Sequence, residues 1–428
     1  MLYTRYKPHK RKPNWKNIFL TALILVVLVA CVVLLVKASP SWGRKAPEGN
    51  RPTPGIDPTP LVTATPAPTE EPAATAKPAE VPVETQAPTP APRGSGTQSV
   101  TIGAVGDIVM HGQCLQAGKN GNSYDFSKFF SRIVPYISWQ DMTIANLECA
   151  IAEKGFDENK APEALLSAMN EAGIDVVALS NEKIAAQGEE AADFTANAVQ
   201  NCDMVPVGYG DVRIVTKDDL RIAILNYVEN PESENAATRV LSDVNFDDDI
   251  RFIAENDVDF VIAYIHWGEA GKQEVTETQK AWARKMADAG VDVVLGSHAH
   301  VVQSMEMLTG AGGNSTLVAY GLGNFESPYR NNGQDAGVIL SFTLTKDFDS
   351  QTKQIETVTY APTFALKYSS VGKYSIEVMS AVEYTEKKYQ NMSLDDRARI
   401  AAIPAEIQAA LGSEVGTMET EVRTLSEE

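Results

Sequence analysis

The stretch VDVVLGSHAHVVQ, residues 291–303, determines how the rest of the sequence is interpreted. Its short apolar run, Val293 to Leu295, predicts a buried strand that ends in a polar tip. His298 and His300 lie in that tip, two residues apart, and they are two of the chain's five histidines. Residues at this spacing in an extended segment face the same way, so the pair could ligate one metal ion or two neighbouring ions.

The same helix-to-strand passage occurs twice in the chain. NEAGIDVVALSNEK (170–183) and ADAGVDVVLGSHAH (287–300) each end a helix at glycine, turn at aspartate and continue as a short apolar strand. From Ser99 onward, other strand patterns such as SVTIGAVGDIV, DMTIANLE and VDFVIAYIHWG alternate with helical stretches. This alternation predicts an α/β fold with largely parallel, buried strands. The region from about residue 351 mixes strand and helix patterns, and we expect it to pack on the same domain.

Metal-ligating residue types lie where the predicted strands end. This set consists of Asp107, Glu148, His266, His298 and His300. Ligands gather at the carboxyl ends of parallel strands, and carboxylate with imidazole suits zinc, manganese or iron. His111, shortly after Asp107, is a further candidate that could support the ligands or merely be exposed. The alternative, in which the histidines only hydrogen-bond within the structure, stays open at this level.

Composition restricts the partners and divides the chain. A formal net charge of -19 argues against nucleic acid, because phosphate contacts need clustered lysine and arginine.

Residues 1–17 are basic, and residues 18–36 carry no charge. We therefore expect a cytoplasmic tail (1–17), a single transmembrane helix (18–37) and an extracellular remainder. Signal-peptide cleavage and lipidation at Cys31 are the alternatives. Residues 38–97 hold most of the chain's 23 prolines, which predicts a disordered Pro/Thr-rich stalk before a domain at 98–428.

The order of these motifs resembles that of CapA-type proteins. AVGDIVMHG, NLECAI, ALSNEKIAAQG, IAYIHWGEA, VDVVLGSHAHVVQ and YGLGNFES follow one another between about residues 99 and 345. Such proteins are named for capsule and poly-γ-glutamate synthesis, and they belong to the calcineurin-like metallophosphoesterase superfamily. The resemblance implies an α/β sandwich with two divalent ions, which would be manganese, zinc or iron. It makes Asp107 and His300 ligands of the first ion, His266 and His298 ligands of the second, and Glu148 the bridge.

One motif departs from the family pattern. Where the family has Leu-Ala-Asn-Asn-His, this chain has Leu-Ser-Asn-Glu-Lys. Glu182 therefore occupies the position of the asparagine that normally ligates a metal. Lys183 occupies the position of the histidine that normally acts as the acid or transition-state partner. Glu182 can still ligate a metal, whereas Lys183 could act as a point charge toward phosphate or pair with Glu182. Two functions therefore remain open. One is a metal-dependent hydrolase or transferase acting on a phosphoester, or on an amide or ester bond of an anionic surface polymer, with Lys183 and His111 as catalytic candidates. The other is a catalytically degenerate module that binds such a polymer or scaffolds its synthesis machinery.

Overall fold

The computed structural model describes residues 94–210, 212–231, 238–370, 372–382 and 392–419. The predicted tail, the predicted transmembrane helix and nearly all of the predicted stalk lie outside the described residues. Within the described part of the chain, no helix has both the length and the apolar composition needed to cross a membrane.

Strands and helices alternate along the first two thirds of the described domain, as the sequence predicts. The strands in chain order are β1 (Thr97–Ile108), β2 (Lys119–Asn120), β3 (Ser123–Tyr124), β4 (Met142–Leu147), β5 (Ala150–Ile151), β6 (Lys160–Ala161), β7 (Val176–Ala178), β8 (Val205–Val207), β9 (Arg213–Lys217), β10 (Leu220–Val228), β11 (Phe260–His266), β12 (Val293–Ser297), β13 (Met305–Thr309), β14 (Ser315–Ala319), β15 (Asn324–Glu326), β16 (Ala336–Asp347), β17 (Thr352–Ser370), β18 (Lys373–Ser380) and β19 (Thr417–Met418). The helices are α1 (Gly112–Gly118), α2 (Ser127–Phe130), α3 (Val134–Ile137), α4 (Ala164–Ala172), α5 (Glu182–Ala185), α6 (Glu189–Asn201), α7 (Asp243–Glu255), α8 (Glu277–Asp288) and α9 (Leu394–Leu411).

Two sheets form the centre of the domain. The larger has the order β18-β17-β16-β1-β4-β7-β8, with β15 beside β1 and β19 beside β17, and the smaller has the order β13-β14-β12-β11-β10-β9. Strands β1, β4, β7 and β8 run parallel, and so do β10, β11, β12 and β14. The carboxyl ends of each parallel set therefore meet at one edge of its sheet.

Aspartates at the starts of these strands set the register of the parallel pairs. Each carboxylate accepts a hydrogen bond from a backbone N–H of the neighbouring strand, over 2.7 to 2.8 Å. The four pairs are Asp141 with Thr101, Asp175 with Thr143, Asp259 with Arg221, and Asp292 with Val261. In the repeated passage, Asp175 follows Gly173 and Asp292 follows Gly290. Each of these aspartates thus satisfies a strand N–H that would otherwise lack a partner.

The apolar core lies in three layers. Ile102, Ile144, Ile262 and Leu295, from strands of both sheets, belong to one buried cluster, so the sheets pack face to face. A second cluster joins the outer face of the larger sheet to α1–α6, and a third joins the smaller sheet to α7 and α8. The domain is therefore a four-layered mixed α/β structure. The hydroxyl of Tyr264 donates to the Val105 carbonyl at 2.8 Å and links the two sheets directly.

The C-terminal region packs on the main domain, which confirms that expectation. Helix α9 contributes Ile400, Ile403 and Ile407 to the core between the sheets. Strands β16, β17 and β18 extend the larger sheet, but they are antiparallel, so the prediction of largely parallel strands holds only for the centre of each sheet. The short connections between these three strands permit hairpin pairing and leave no room for a crossover helix. Strand β1 begins at Thr97, one residue inside the predicted stalk.

Candidate metal centre

The six residues predicted as ligands all lie at the same edge of the two sheets. Asp107 is the second-last residue of β1, Glu148 follows β4, and Glu182 begins α5, the helix after β7. His266 ends β11, and His298 and His300 follow β12. Their side chains form two groups whose potential ligand atoms lie within 4.8 Å of one another: Asp107, Glu148 and His300 in the first, and Glu182, His266 and His298 in the second.

Glu148 faces both groups. Its Oε1 lies 3.5 Å from His266 Nδ1, and its Oε2 lies 3.7 Å from His300 Nε2. The side chain is 1% exposed, so its two oxygens have no access to bulk water. One oxygen of this buried carboxylate thus faces a histidine of each group.

The interpretation of His298 and His300 as an extended pair facing one way is wrong. Both residues have left-handed backbone conformations, with φ of 79° and 56°, in a loop beyond the end of β12. Their imidazoles diverge as a result, one into each group, with ring centroids 6.1 Å apart. Left-handed conformations at non-glycine residues cost about 1 kcal/mol or more and are concentrated at functional sites.

Glycines allow the close backbone approach that these tips require. A Cβ on Gly106, just before Asp107, would lie 1.8 Å from the carbonyl oxygen of Gly323. A Cβ on Gly296, before the histidine loop, would lie 1.8 Å from the carbonyl oxygen of Tyr320. Any side chain at either position would force apart the segments that bring the ligand residues together.

Two buried asparagines contact the ligand side chains and a third contacts one of these two, and sequence reasoning missed their roles. Asn146 Nδ2 donates to Asp107 Oδ1 at 2.8 Å and to Glu148 Oε1 at 3.1 Å. Asn324 Oδ1 is 3.0 Å from His300 Nδ1, which leaves His300 Nε2 turned toward Glu148. The third, Asn181, donates from Nδ2 to Asn146 Oδ1 and to the Leu147 carbonyl, not to a ligand side chain. The available signal was their position, since each asparagine occurs in a strand-tip motif (NLE, SNE and GNF) beside a ligand or at the matching edge.

Burial and like charge make this cluster costly without a cation. Burial, together with the nearby Asp107 carboxylate, raises the pKa of Glu148 to about 8. Burial alone would lower the pKa of His300, but Glu148 and Asp107 raise it to about 10. Burial, with His298 and His300 nearby, holds the pKa of His266 well below its ordinary value.

The donor atoms fit a divalent cation. Glu148 Oε2, His266 Nε2 and His298 Nδ1 are buried and have no hydrogen-bond partner. Buried polar atoms normally have partners, so three unsatisfied atoms at one site are what a ligand-binding site would present. Mixed imidazole and carboxylate donors are those that zinc, manganese and iron accept. The donor set therefore supports divalent metal binding.

Lys183 and His111 lie outside the two groups. Lys183 Nζ is 3.2 Å from Glu182 Oε1, and both side chains are more than one third exposed. Burial would lower the pKa of Lys183, but the Glu182 carboxylate raises it, and the net direction is upward. Lys183 is therefore a fixed positive charge at the mouth of the site. His111 Nε2 is 3.7 Å from Glu158, and its ring packs edge-on against Tyr329.

A cleft of about 340 Å³ opens beside the second group. Glu182, His266 and His298 are among the residues that line it. Trp267 forms part of the wall, where it is 1% exposed, stacks on Tyr320 and donates from Nε1 to the Tyr320 carbonyl at 2.9 Å. Trp267 is therefore a packing residue of the cleft wall. The cleft is large enough for part of a substrate to reach the ligand groups.

The fold and the site define a class of protein: a layered α/β domain with an acid-and-imidazole centre at the strand ends. The profile of the bacterial capsule synthesis protein family PGA_cap matches residues 101–329, more than half of the chain. The chain belongs to this family and is of the CapA type. The matched region contains all six ligand residues, Lys183 and His111.

Two relatives and one solved structure illustrate the similarity. The chain is 27% identical over 253 residues to the capsule biosynthesis protein CapA of Bacillus anthracis, covering 53% of this chain and 60% of that protein. It is 26% identical over 263 residues to the PGA biosynthesis protein CapA of Bacillus subtilis (strain 168), covering 56% of this chain and 66% of that protein. The alignments thus span less than two thirds of either relative. The calcineurin-like phosphoesterase YfkN from Bacillus subtilis aligns with a TM-score of 0.38 at 12% identity, over 71% of this chain and 99% of that one.

Proposed function

We propose that this chain is a divalent-metal-dependent hydrolase or transferase in the synthesis or processing of a capsule or poly-γ-glutamate-type surface polymer. The observation that carries the proposal is the shared position of Glu148, which turns one oxygen toward each ligand group. Two groups joined by a carboxylate support the calcineurin-like metallophosphoesterase assignment of the sandwich. The bond attacked would be a phosphoester, or an amide or ester bond of an anionic envelope polymer.

The chain's own residues would hold and orient the reactants. Asp107, Glu148 and His300 would hold one cation, and Glu182, His266 and His298 the other. Divalent ions so held would lower the pKa of a water molecule and draw electron density from a phosphoryl or carbonyl oxygen. Lys183 would attract and place an anionic oxygen of the substrate as a point charge at the mouth. The left-handed loop would keep the two histidines on separate cations.

The location we propose is the outer face of the cell membrane. Its support is the uncharged segment from Ile18 to Val36 and the basic residues before it. The partners would be the anionic polymer or its synthesis machinery. Protease accessibility in intact cells tests this, because a tag at the C-terminus should be cut while a tag at the N-terminus is protected. Protection of both tags would contradict an external domain.

The test of the proposed function is metal content followed by turnover. The purified full chain should contain close to two divalent ions, measured by mass spectrometry, and the His298→Ala, His300→Ala double variant should lose them. The loaded chain should then cleave or transfer a substrate in a panel of phosphoesters and polymer fragments. A chain that stays metal-free after incubation with manganese, zinc or iron contradicts the proposal.

The ion pair at the mouth favours a second candidate function. Lys183 neutralises Glu182 at 3.2 Å, which could close the second group and leave a module that binds polymer or scaffolds its synthesis machinery. The Glu182→Asn, Lys183→His double variant separates the two functions. Activity that arises only in this variant would show that the native site is degenerate. Native activity that disappears in Lys183→Ala would show that Lys183 takes part in the reaction.

A further inference from the structure

One amide side chain orients both carboxylates of the first ligand group. Asn146 is fully buried, and its Nδ2 donates to Asp107 Oδ1 and to Glu148 Oε1 at 2.8 and 3.1 Å. The other oxygens, Asp107 Oδ2 and Glu148 Oε2, lie 3.2 and 3.7 Å from His300 nitrogens. Asn146 therefore fixes one oxygen of each carboxylate and directs the second oxygen of each toward His300.

A second asparagine links this arrangement to the other group. Asn181 Nδ2 donates to Asn146 Oδ1 at 3.3 Å and to the Leu147 carbonyl at 2.8 Å, just before Glu148. Its own Oδ1 accepts from the Ile184 N–H at 3.1 Å and so caps the helix that begins with Glu182. One side chain thus connects the helix that carries a ligand of the second group to the strand end that carries the shared carboxylate.

We propose that Asn146 and Asn181 are positioning residues that align the two ligand groups with each other, so that both groups bind their cations through one connected amide pair. The inference rests on the metal binding proposed above. Its specific consequence concerns Asn181, which donates to an amide and a backbone carbonyl rather than to a carboxylate. Changing Asn181 should nevertheless weaken cation binding at the first group, because Asn146 loses the contact that orients its amide.

The expected change in metal affinity follows from the effect of hydrogen bonds that orient metal ligands. Partners that orient metal ligands typically change metal affinity by about 10- to 100-fold when they are removed. Asn181→Ser isolates the link, because serine is a good helix N-cap but is too short to reach Asn146. Asn146→Ala removes both donors to the carboxylates. Thr316→Val is the matched control, since Thr316 is fully buried and donates to the Val291 carbonyl near the amino end of β14.

The experiment titrates Mn²⁺ into the purified, metal-free full chain and measures the heat of binding together with the electron paramagnetic resonance spectrum. We expect the native chain to bind two ions and to give the spectrum of an exchange-coupled pair. Asn181→Ser should weaken both binding events by about 10-fold or more and shift the spectrum toward that of isolated ions. Asn146→Ala should do the same. The double variant should lose no more affinity than the stronger single variant, because both act through one connection.

The controls separate positioning from loss of structure. Thermal unfolding in the presence of chelator should give similar Tm values for Asn181→Ser and Thr316→Val. Only the asparagine variants should change the Mn²⁺ affinity and the Mn²⁺ spectrum. Native-like binding and coupling in Asn181→Ser would overturn the inference and leave the proposed function intact. Additive losses in the double variant, or weaker binding in Thr316→Val as well, would also overturn it. A native chain that binds no Mn²⁺ would overturn the proposed function and the inference together.

Discussion

Glu326 is a buried carboxyl group that the candidate metal centre does not use. It lies at the end of β15, is fully buried, and neither oxygen has a hydrogen-bond partner. Burial raises its pKa from 4.5 to about 8, and the Cys114 thiol beside it offsets only part of that rise. The folded state therefore binds more protons than the unfolded state between these two pH values. Stability from this group is highest at low pH and is lost as the pH rises toward 8.

The substitution Glu326→Gln should remove this pH dependence. Each unit of pKa difference corresponds to about 1.4 kcal/mol. The native chain should therefore lose about 2 kcal/mol of unfolding free energy, relative to the variant, between pH 6 and pH 8. Because glutamine stays neutral, the difference between the two proteins at each pH isolates the Glu326 carboxyl group.

Urea unfolding of the fragment 94–428 in chelator, followed by fluorescence at several pH values, measures this difference. Glu277→Gln is the control, since the Glu277 side chain is 89% exposed and should give no such slope. A constant difference between the native chain and Glu326→Gln across this range would refute the burial and the protonation argued here. A native chain that gains stability relative to Glu326→Gln as the pH rises would refute the reasoning more strongly.

Three further predictions use other contacts. Tyr264→Phe removes the hydrogen bond between the sheets and should lower the free energy of unfolding by about 1 kcal/mol in urea, whereas Tyr374→Phe at the exposed edge should not. Adding Mn²⁺ at a hundred times its dissociation constant should stabilise the native fragment by about 2.7 kcal/mol, seen as a chelator-reversible rise in Tm that the His298→Ala, His300→Ala variant lacks. Burial would raise the pKa of Glu377, but the Tyr368 hydroxyl and two cationic side chains lower it overall, so stability from Glu377 is present above its ordinary pKa and lost in acid. Glu377→Gln should consequently be more destabilising at pH 7 than at pH 3, and equal costs at both would contradict this.

The position of the ligands could be predicted from sequence because it depends on periodicity. Short apolar runs mark most of the parallel strands, and in a parallel sheet each polar residue after such a run reaches the same edge. Asp107, Glu148 and His266 lie at that edge for this reason alone. The aspartate after each helix-ending glycine reinforces the arrangement, because Asp175 and Asp292 fix the strands that lead to the site.

Periodicity does not predict the division of the ligands into two groups, which is implied only by the resemblance to CapA-type proteins. The division depends on two left-handed residues, His298 and His300, in a stretch whose sequence reads as extended. No local preference indicates that conformation. The contacts beside it come from distant segments: the backbone packs closely at Gly296, and the Gly271 N–H donates to the Ala299 carbonyl. The contribution of Asn146 and Asn181 was hidden for a related reason. A hydrogen bond between residues far apart in sequence leaves no periodic signal. The strand-tip motifs draw attention to the ligands next to these asparagines and not to the asparagines themselves.

The two charge-adding departures from the family motif, at Glu182 and Lys183, are best understood as one change. Glutamate in place of the expected asparagine adds a negative charge, and lysine in place of the expected histidine adds a positive one. The structure places these charges 3.2 Å apart at the exposed mouth, where a single ion pair contributes little to stability. The pair is therefore poorly explained as a stabilising contact. A cation at the second group would compete with Lys183 for the Glu182 carboxylate and leave the ammonium group turned toward incoming substrate. Without a cation, Glu182 pairs with Lys183 and the site is closed. With a cation on the second group, Lys183 is released and the site is open to substrate, so metal occupancy of that group determines which state the chain adopts.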